Sequence, residues 1–121
     1  MRVSYSSRAE KEFLEIVKYY ESDRPGLGEE FIEELDRQIE HCLDSPELGV
    51  QISANLRRLV MKRFPYNIIY QVREHDIRVI AVAHQHRKPG YWLGRVKNTN
   101  GDKAREPESA YLANMINHAG G

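Results

Sequence analysis

The sequence predicts an α+β fold: a short N-terminal strand, an antiparallel helical hairpin packed on a small antiparallel β-sheet, and a C-terminal tail. Three observations predict it. Short β-rich runs at Leu56–Lys62, Tyr66–Val72 and Ile77–His84 are separated by a Phe64-Pro65 break and a polar turn at Arg73–Asp76, the pattern of consecutive antiparallel strands. Upstream, two stretches repeat apolar residues at helical spacing. Charge is segregated as well: residues 57–95 hold nine Lys/Arg against two Asp/Glu, and residues 10–47 hold four against thirteen, behind a formal net charge of zero.

With 121 residues and 40% hydrophobic content the chain has room for one modest core, so residues 1–96 read as a single domain and 97–121 as the tail. No apolar run approaches the roughly 20 residues that span a bilayer, and the amino terminus lacks the basic-then-apolar layout of a secretory signal. The expectation is a cytoplasmic protein without a membrane partner. The one cysteine, Cys42, lies in a helical pattern and reads as a small buried hydrophobe, which excludes a disulfide framework and a Cys-based metal site. His84-Gln85-His86 puts two imidazoles on one strand face without a third ligand nearby, so no metal and no cofactor are expected.

In chain order, Val3 to Ser6 suits a brief opening strand. Ser7-Arg8-Ala9-Glu10 has the Ser-x-x-Glu form of a capping box, and Ala9, Phe13, Ile16, Val17 and Tyr20 then form one apolar stripe of a helix. Ser22 to Gly26 breaks that helix, because a residue before proline disfavours helical backbone and glycine accepts conformations other residues avoid. A second helix starts near Leu27, with Phe31, Leu35, Ile39 and Leu43 as its stripe, and stops at Asp44-Ser45-Pro46. So short a connection predicts antiparallel packing. Glu47 to Asn55 reads as a loop. In the first predicted strand Leu59 and Met61 alternate with Arg58, Val60 and Lys62; in the second, Ile68, Tyr70 and Val72 face away from Asn67, Ile69 and Gln71. The third is apolar almost throughout after Arg78, which predicts a central strand. Asn98 to Lys103 reads as a flexible linker, and 108–118 as a short helix with Tyr111, Leu112, Met115 and Ile116 on one side.

The strings Phe64-Pro65-Tyr66-Asn67-Ile68-Ile69-Tyr70 and Ile80-Ala81-Val82-Ala83-His84-Gln85-His86-Arg87-Lys88-Pro89-Gly90-Tyr91-Trp92, with Pro25-Gly26-Leu27-Gly28 and Ser45-Pro46-Glu47-Leu48-Gly49 around the second helix, resemble the RelE/ParE superfamily of toxins from type II toxin–antitoxin modules. The resemblance covers roughly residues 3 to 95 and not the tail. It implies a growth-inhibiting, plasmid-stabilising type of toxin, neutralised by a cognate antitoxin, as a homodimer or a toxin–antitoxin hetero-oligomer. It also implies one of two targets: RelE-like members cleave mRNA on the ribosome, whereas ParE-like members inhibit DNA gyrase without being hydrolases.

Residues discriminate between the branches. Metal-free RNA cleavage needs a base, an acid and cations for the phosphorane charge. The candidates are His84, His86, Arg87 and Tyr91, with Arg58 and Lys62. In the nuclease branch an arginine commonly follows the tyrosine equivalent to Tyr66, and another lies six residues before the equivalent of Tyr91; here those positions are Asn67 and Gln85. Each lost transition-state contact is worth about 3 kcal/mol. The expectation is therefore a ParE-like inhibitor rather than an enzyme, with the ribosome-dependent endoribonuclease and a non-toxic binding module as rivals. A basic sheet face built from Arg57, Arg58, Lys62, Arg63, Tyr66, Arg87, Tyr91 and Trp92 is expected to receive the partner, since antitoxin segments for such toxins are commonly acidic and amphipathic.

Overall fold

The computed structural model describes residues 1–88 and 90–97. Strand β1 (Arg2–Tyr5) leads into helices α1 (Ser7–Asp23) and α2 (Leu27–Asp44), followed by β2 (Val50–Gln51), β3 (Leu56–Val60), β4 (Tyr66–Val72), β5 (Asp76–His84) and a short helix α3 (Leu93–Lys97). The five strands form one sheet in the order β1-β5-β4-β3-β2. β1 runs parallel to β5, and the other neighbours are antiparallel.

The hairpin covers one face of this sheet. Phe13, Ile16 and Val17 of α1 and Phe31, Leu35 and Ile39 of α2 are buried against Ile68, Tyr70, Ile77, Val79 and Val82. These are the stripe positions read from the sequence; β5 is the most buried strand, as expected, but it lies between β1 and β4, and the central place in the sheet is held by β4. The helix starts have local causes. Ser6 is fixed at the end of β1 by its N–H donating to Val79 O (2.9 Å), so it is the last extended residue and its Oγ accepts from Ala9 N (3.1 Å). The cap is thus one residue earlier than the Ser7-based box predicts, and Glu10 is buried. Gly26 opens α2 with φ +90°, a backbone that favours glycine. Glu21 accepts hydrogen bonds from Gly26 N and Gly28 N. At Gly28 the helices approach so closely that a Cβ would lie 2.9 Å from Val17 O.

Two features depart from the expected strands. The predicted loop 47–55 contains β2, whose two residues pair with Arg58 and Arg57. The loop before it is held by Tyr70, which donates to Pro46 O (2.9 Å) and accepts from Gly49 N (2.8 Å), and by Arg57, which donates to Gly49 O (2.8 Å). The second departure is a β-bulge: Ile69 pairs with Ala81 and Tyr70 with Val79, so Ile80 has no opposite residue. Val79 and Val82 consequently both face the hairpin, while Ile80 and Ala81 both join the outer-face cluster. The predicted helix at 108–118 lies outside the described residues.

Candidate interaction site

β1 is only four residues long and pairs with Asp76 to Val79, which leaves the second half of β5 paired to β4 on one edge and open on the other. An open strand edge exposes N–H and C=O groups that must find other partners. Side chains supply them. Glu12, on α1, accepts from Val82 N (3.0 Å), from Arg95 Nη1 and Nη2 (3.1 and 3.0 Å) and from the Tyr91 hydroxyl (2.7 Å). Arg95 also donates to Ile80 O (2.9 Å). Three segments distant in sequence therefore close one strand edge through a single carboxylate, and α3 is tied to α1 by the same contact.

Next to this latch, α1 and the end of β5 diverge around a cleft of about 240 Å³, lined by Glu15, Ile16, Tyr19, Tyr66, His84 and Arg87 among others. The Arg87 guanidinium lies over the Tyr91 ring at 3.8 Å, and Arg95 lies 5.1 Å from the same ring, so two cations contact one aromatic face system. Burial, reinforced by the hydrogen bond and charge of Glu12, pushes the Tyr91 hydroxyl up to about 12. His84 Nδ1 accepts from His86 N (3.0 Å), which places the proton of a neutral ring on Nε2. The two imidazoles are 5.3 Å apart, and Tyr66 meets His84 edge-on at 5.1 Å.

The structure brings His84, His86, Arg87, Tyr91 and Tyr66 together at this end of the sheet. It separates the rest. Arg57 and Arg58 are consecutive strand residues and point to opposite faces: Arg57 holds the 46–49 loop, while Arg58 is half-buried on the outer face with its Nε lacking a hydrogen bond. Arg63 is drawn to α2, where its Nη2 donates to Glu30 (2.8 Å); that hydrogen bond holds the Glu30 carboxyl below the usual carboxylate range. Lys62 is exposed in the turn between β3 and β4. Trp92 is buried in the outer-face cluster. The single basic face expected from composition is thereby divided, because strand alternation and an ion pair to the acidic hairpin assign neighbouring cations to different sides. Sequence reasoning missed Glu12, Glu15, Tyr19 and Arg95. Glu12 and Arg95 are 83 positions apart, and no local periodicity signals that they meet.

Among the described residues no group of histidine, cysteine and carboxylate side chains could hold a metal ion, and no helix is long and apolar enough to cross a membrane.

A helical hairpin laid on a five-stranded, mostly antiparallel sheet, with cations and tyrosines at the end of β5, defines a RelE/ParE-type toxin fold. Residues 3–89 match the family described as ParE toxin of the type II toxin–antitoxin system, parDE, and the chain belongs to that family. No curated protein sequence matches it. Among solved structures, it is similar to a chain of the chromosomal ParDE system from P. aeruginosa, at 15% identity and a TM-score of 0.60, covering 69% of this chain and 95% of that one. It is also similar to the isolated E. coli RelE toxin, at 21% identity and a TM-score of 0.53, covering 81% of this chain and 97% of that one. At these identities both likenesses speak for the fold.

Proposed function

We propose that this chain is the toxin of a type II toxin–antitoxin module, held inactive by a cognate antitoxin, and that it acts as a ParE-like inhibitor of DNA gyrase rather than as a ribonuclease. The observation that carries the reading is the state of Tyr91. A tyrosine that assists RNA cleavage must offer its hydroxyl to the reacting phosphate, and this one donates at 2.7 Å to the Glu12 carboxylate. The carboxylate beside it would also repel a phosphorane. Asn67 and Gln85 stand where the nuclease branch commonly has arginines, and Arg58 faces away from His84 across the sheet. What remains is a binding surface: an aromatic cleft rimmed by charges of both signs, suited to a protein target.

Controlled expression in growing bacteria tests this. The expected result is filamentation, DNA breaks and a damage response, together with inhibition of purified gyrase in a supercoiling assay, all suppressed by co-expressed antitoxin. Cuts in mRNA at codon positions without DNA damage would instead establish the ribosome-dependent nuclease. The double substitution Arg58→Glu with Lys62→Glu is expected to weaken antitoxin affinity by at least tenfold, about 1.4 kcal/mol. Unchanged affinity would remove these two residues from the antitoxin interface.

A further inference from the structure

The side of α1 that lines the cleft carries Glu12, Glu15, Ile16 and Tyr19, residues three and four apart and so aligned along one helix face. Its first carboxylate already holds an arginine. Arg95 meets both oxygens of Glu12 at 3.0 and 3.1 Å, and its guanidinium lies 5.1 Å from the Tyr91 ring. Within the next turn the same parts recur, because Glu15 lines the cleft together with the rings of Tyr19 and Tyr66 and the buried Ile16 and Val82. Here the chain supplies no cation: among the described residues Glu15 has neither an ion pair nor a hydrogen-bond partner. Arg87, the other cation lining the cleft, is stacked on Tyr91 at 3.8 Å. Tyr19, 65% exposed, opens a row of rings that runs through Tyr20, Tyr66 and His84 to His86 with centroids 5.1 to 6.3 Å apart.

We propose that this cleft receives an arginine side chain of the protein partner, its guanidinium paired with Glu15 and stacked on the Tyr19 ring and its methylene stem laid against Ile16. This inference rests on reading the cleft as a surface for a protein target and adds the chemistry of the anchor. Three arguments select an arginine. The first is size: about 240 Å³ falls below the roughly 300–1,000 Å³ of small-molecule sites, so the cleft suits one side chain. The second is charge. An unpaired carboxylate on an aromatic wall attracts a cation, and Glu12 and Glu15 together repel the phosphates of a nucleic acid. The third is shape: a guanidinium is planar, stacks on rings, pairs with carboxylates through two N–H groups and sheds water more readily than an ammonium. Arginine is also enriched among the side chains that anchor protein interfaces.

Titrating the full chain with Nα-acetylarginine amide while following backbone amide resonances tests this. Saturable shifts are expected at Glu15, Tyr19 and Tyr66, with an affinity about tenfold above that of the citrulline analogue, which keeps the shape and lacks the charge. The lysine analogue, a cation without the planar fork, should bind severalfold more weakly. Glu15→Gln should bring arginine down to the citrulline level and Tyr19→Ala should weaken it severalfold; both residues are exposed, so the fold is not at stake. Equal affinity for arginine and either analogue in the unaltered chain would overturn the proposal, as would arginine shifts confined to other surfaces. Saturable occupation of the same residues by a short single-stranded oligonucleotide would overturn it too, by assigning the cleft to nucleic acid. The readout is binding to the purified chain, so a failure here leaves gyrase inhibition standing, and a failure of the gyrase assay leaves this binding measurable.

Discussion

The two faces of the sheet are finished to different degrees. On the hairpin side Phe13, Phe31, Leu35, Ile68 and Val79 meet with at most 1% exposure, and the buried hydroxyl of Tyr70 both donates and accepts a hydrogen bond. On the outer side the apolar residues are as well buried, yet four polar atoms are shut in without partners. Buried polar groups in a completed core are satisfied almost without exception, because each orphan costs about 1–3 kcal/mol. The hairpin side packs ring on ring around a bonded tyrosine hydroxyl, and the outer side is equally dry but less completely bonded.

The contrast can be broken most strongly from the hairpin side. Phe31 is fully buried and touches the rings of Phe13, Phe64 and Tyr66 at 5.2 to 6.2 Å. Phe31→Ala is expected to cost about 3–5 kcal/mol in chemical denaturation, whereas Val60→Ala, on the outer side and 51% exposed, should stay within about 0.5 kcal/mol. Equal losses would erase the distinction. A medium effect is expected from the latch. Glu12→Ala strands the nearly buried Arg95 and frees Val82 N–H, so about 2–3 kcal/mol should be lost and hydrogen exchange at 93–97 should accelerate. If α3 stays protected in that variant, its attachment depends on something other than Glu12.

The smallest effect sharpens the comparison at the far end of the outer face. Burial raises the Asp76 carboxyl, but hydrogen bonds from Arg73 and Ser4 and the charges of Arg73 and Arg78 outweigh it and leave the group below its ordinary 3.8. A carboxyl lowered by folding adds stability above its unfolded value, and that contribution disappears as pH falls through the folded one. Thermal stability should therefore decline below about pH 4, and Arg73→Ala should flatten the decline. An identical acid profile in that variant would show that the Arg73 contact contributes nothing to it.

Most of the fold was legible because it is written locally. The stripes at Phe13, Ile16 and Val17 and at Phe31, Leu35 and Ile39 repeat at the helical period, Pro25-Gly26 interrupts them, and the alternation in Tyr66–Val72 sets its faces correctly. What was not legible depends on distant pairing. Val50-Gln51 has no strand pattern of its own and becomes one by lying against Arg57 and Arg58. The edge of β5 is closed by Glu12 and Arg95, each an unremarkable polar residue in its own segment. The cations were counted correctly and placed on one face incorrectly, since a tally along the chain ignores that Arg57 and Arg58 must diverge and that Arg63 has Glu30 within reach.

The extra residue in β5 has a consequence for the cleft. Counted by strict alternation from Ile77, His84 would emerge among the outer-face residues, away from Tyr66. The unmatched Ile80 shifts the parity of everything after it, so the last turn of the strand delivers its imidazole to the hairpin side. One surplus peptide unit thus acts like a switch in a railway track. Restoring ordinary pairing there while keeping the chain length would route His84 to the opposite side and disassemble the cleft, without altering a single residue that lines it.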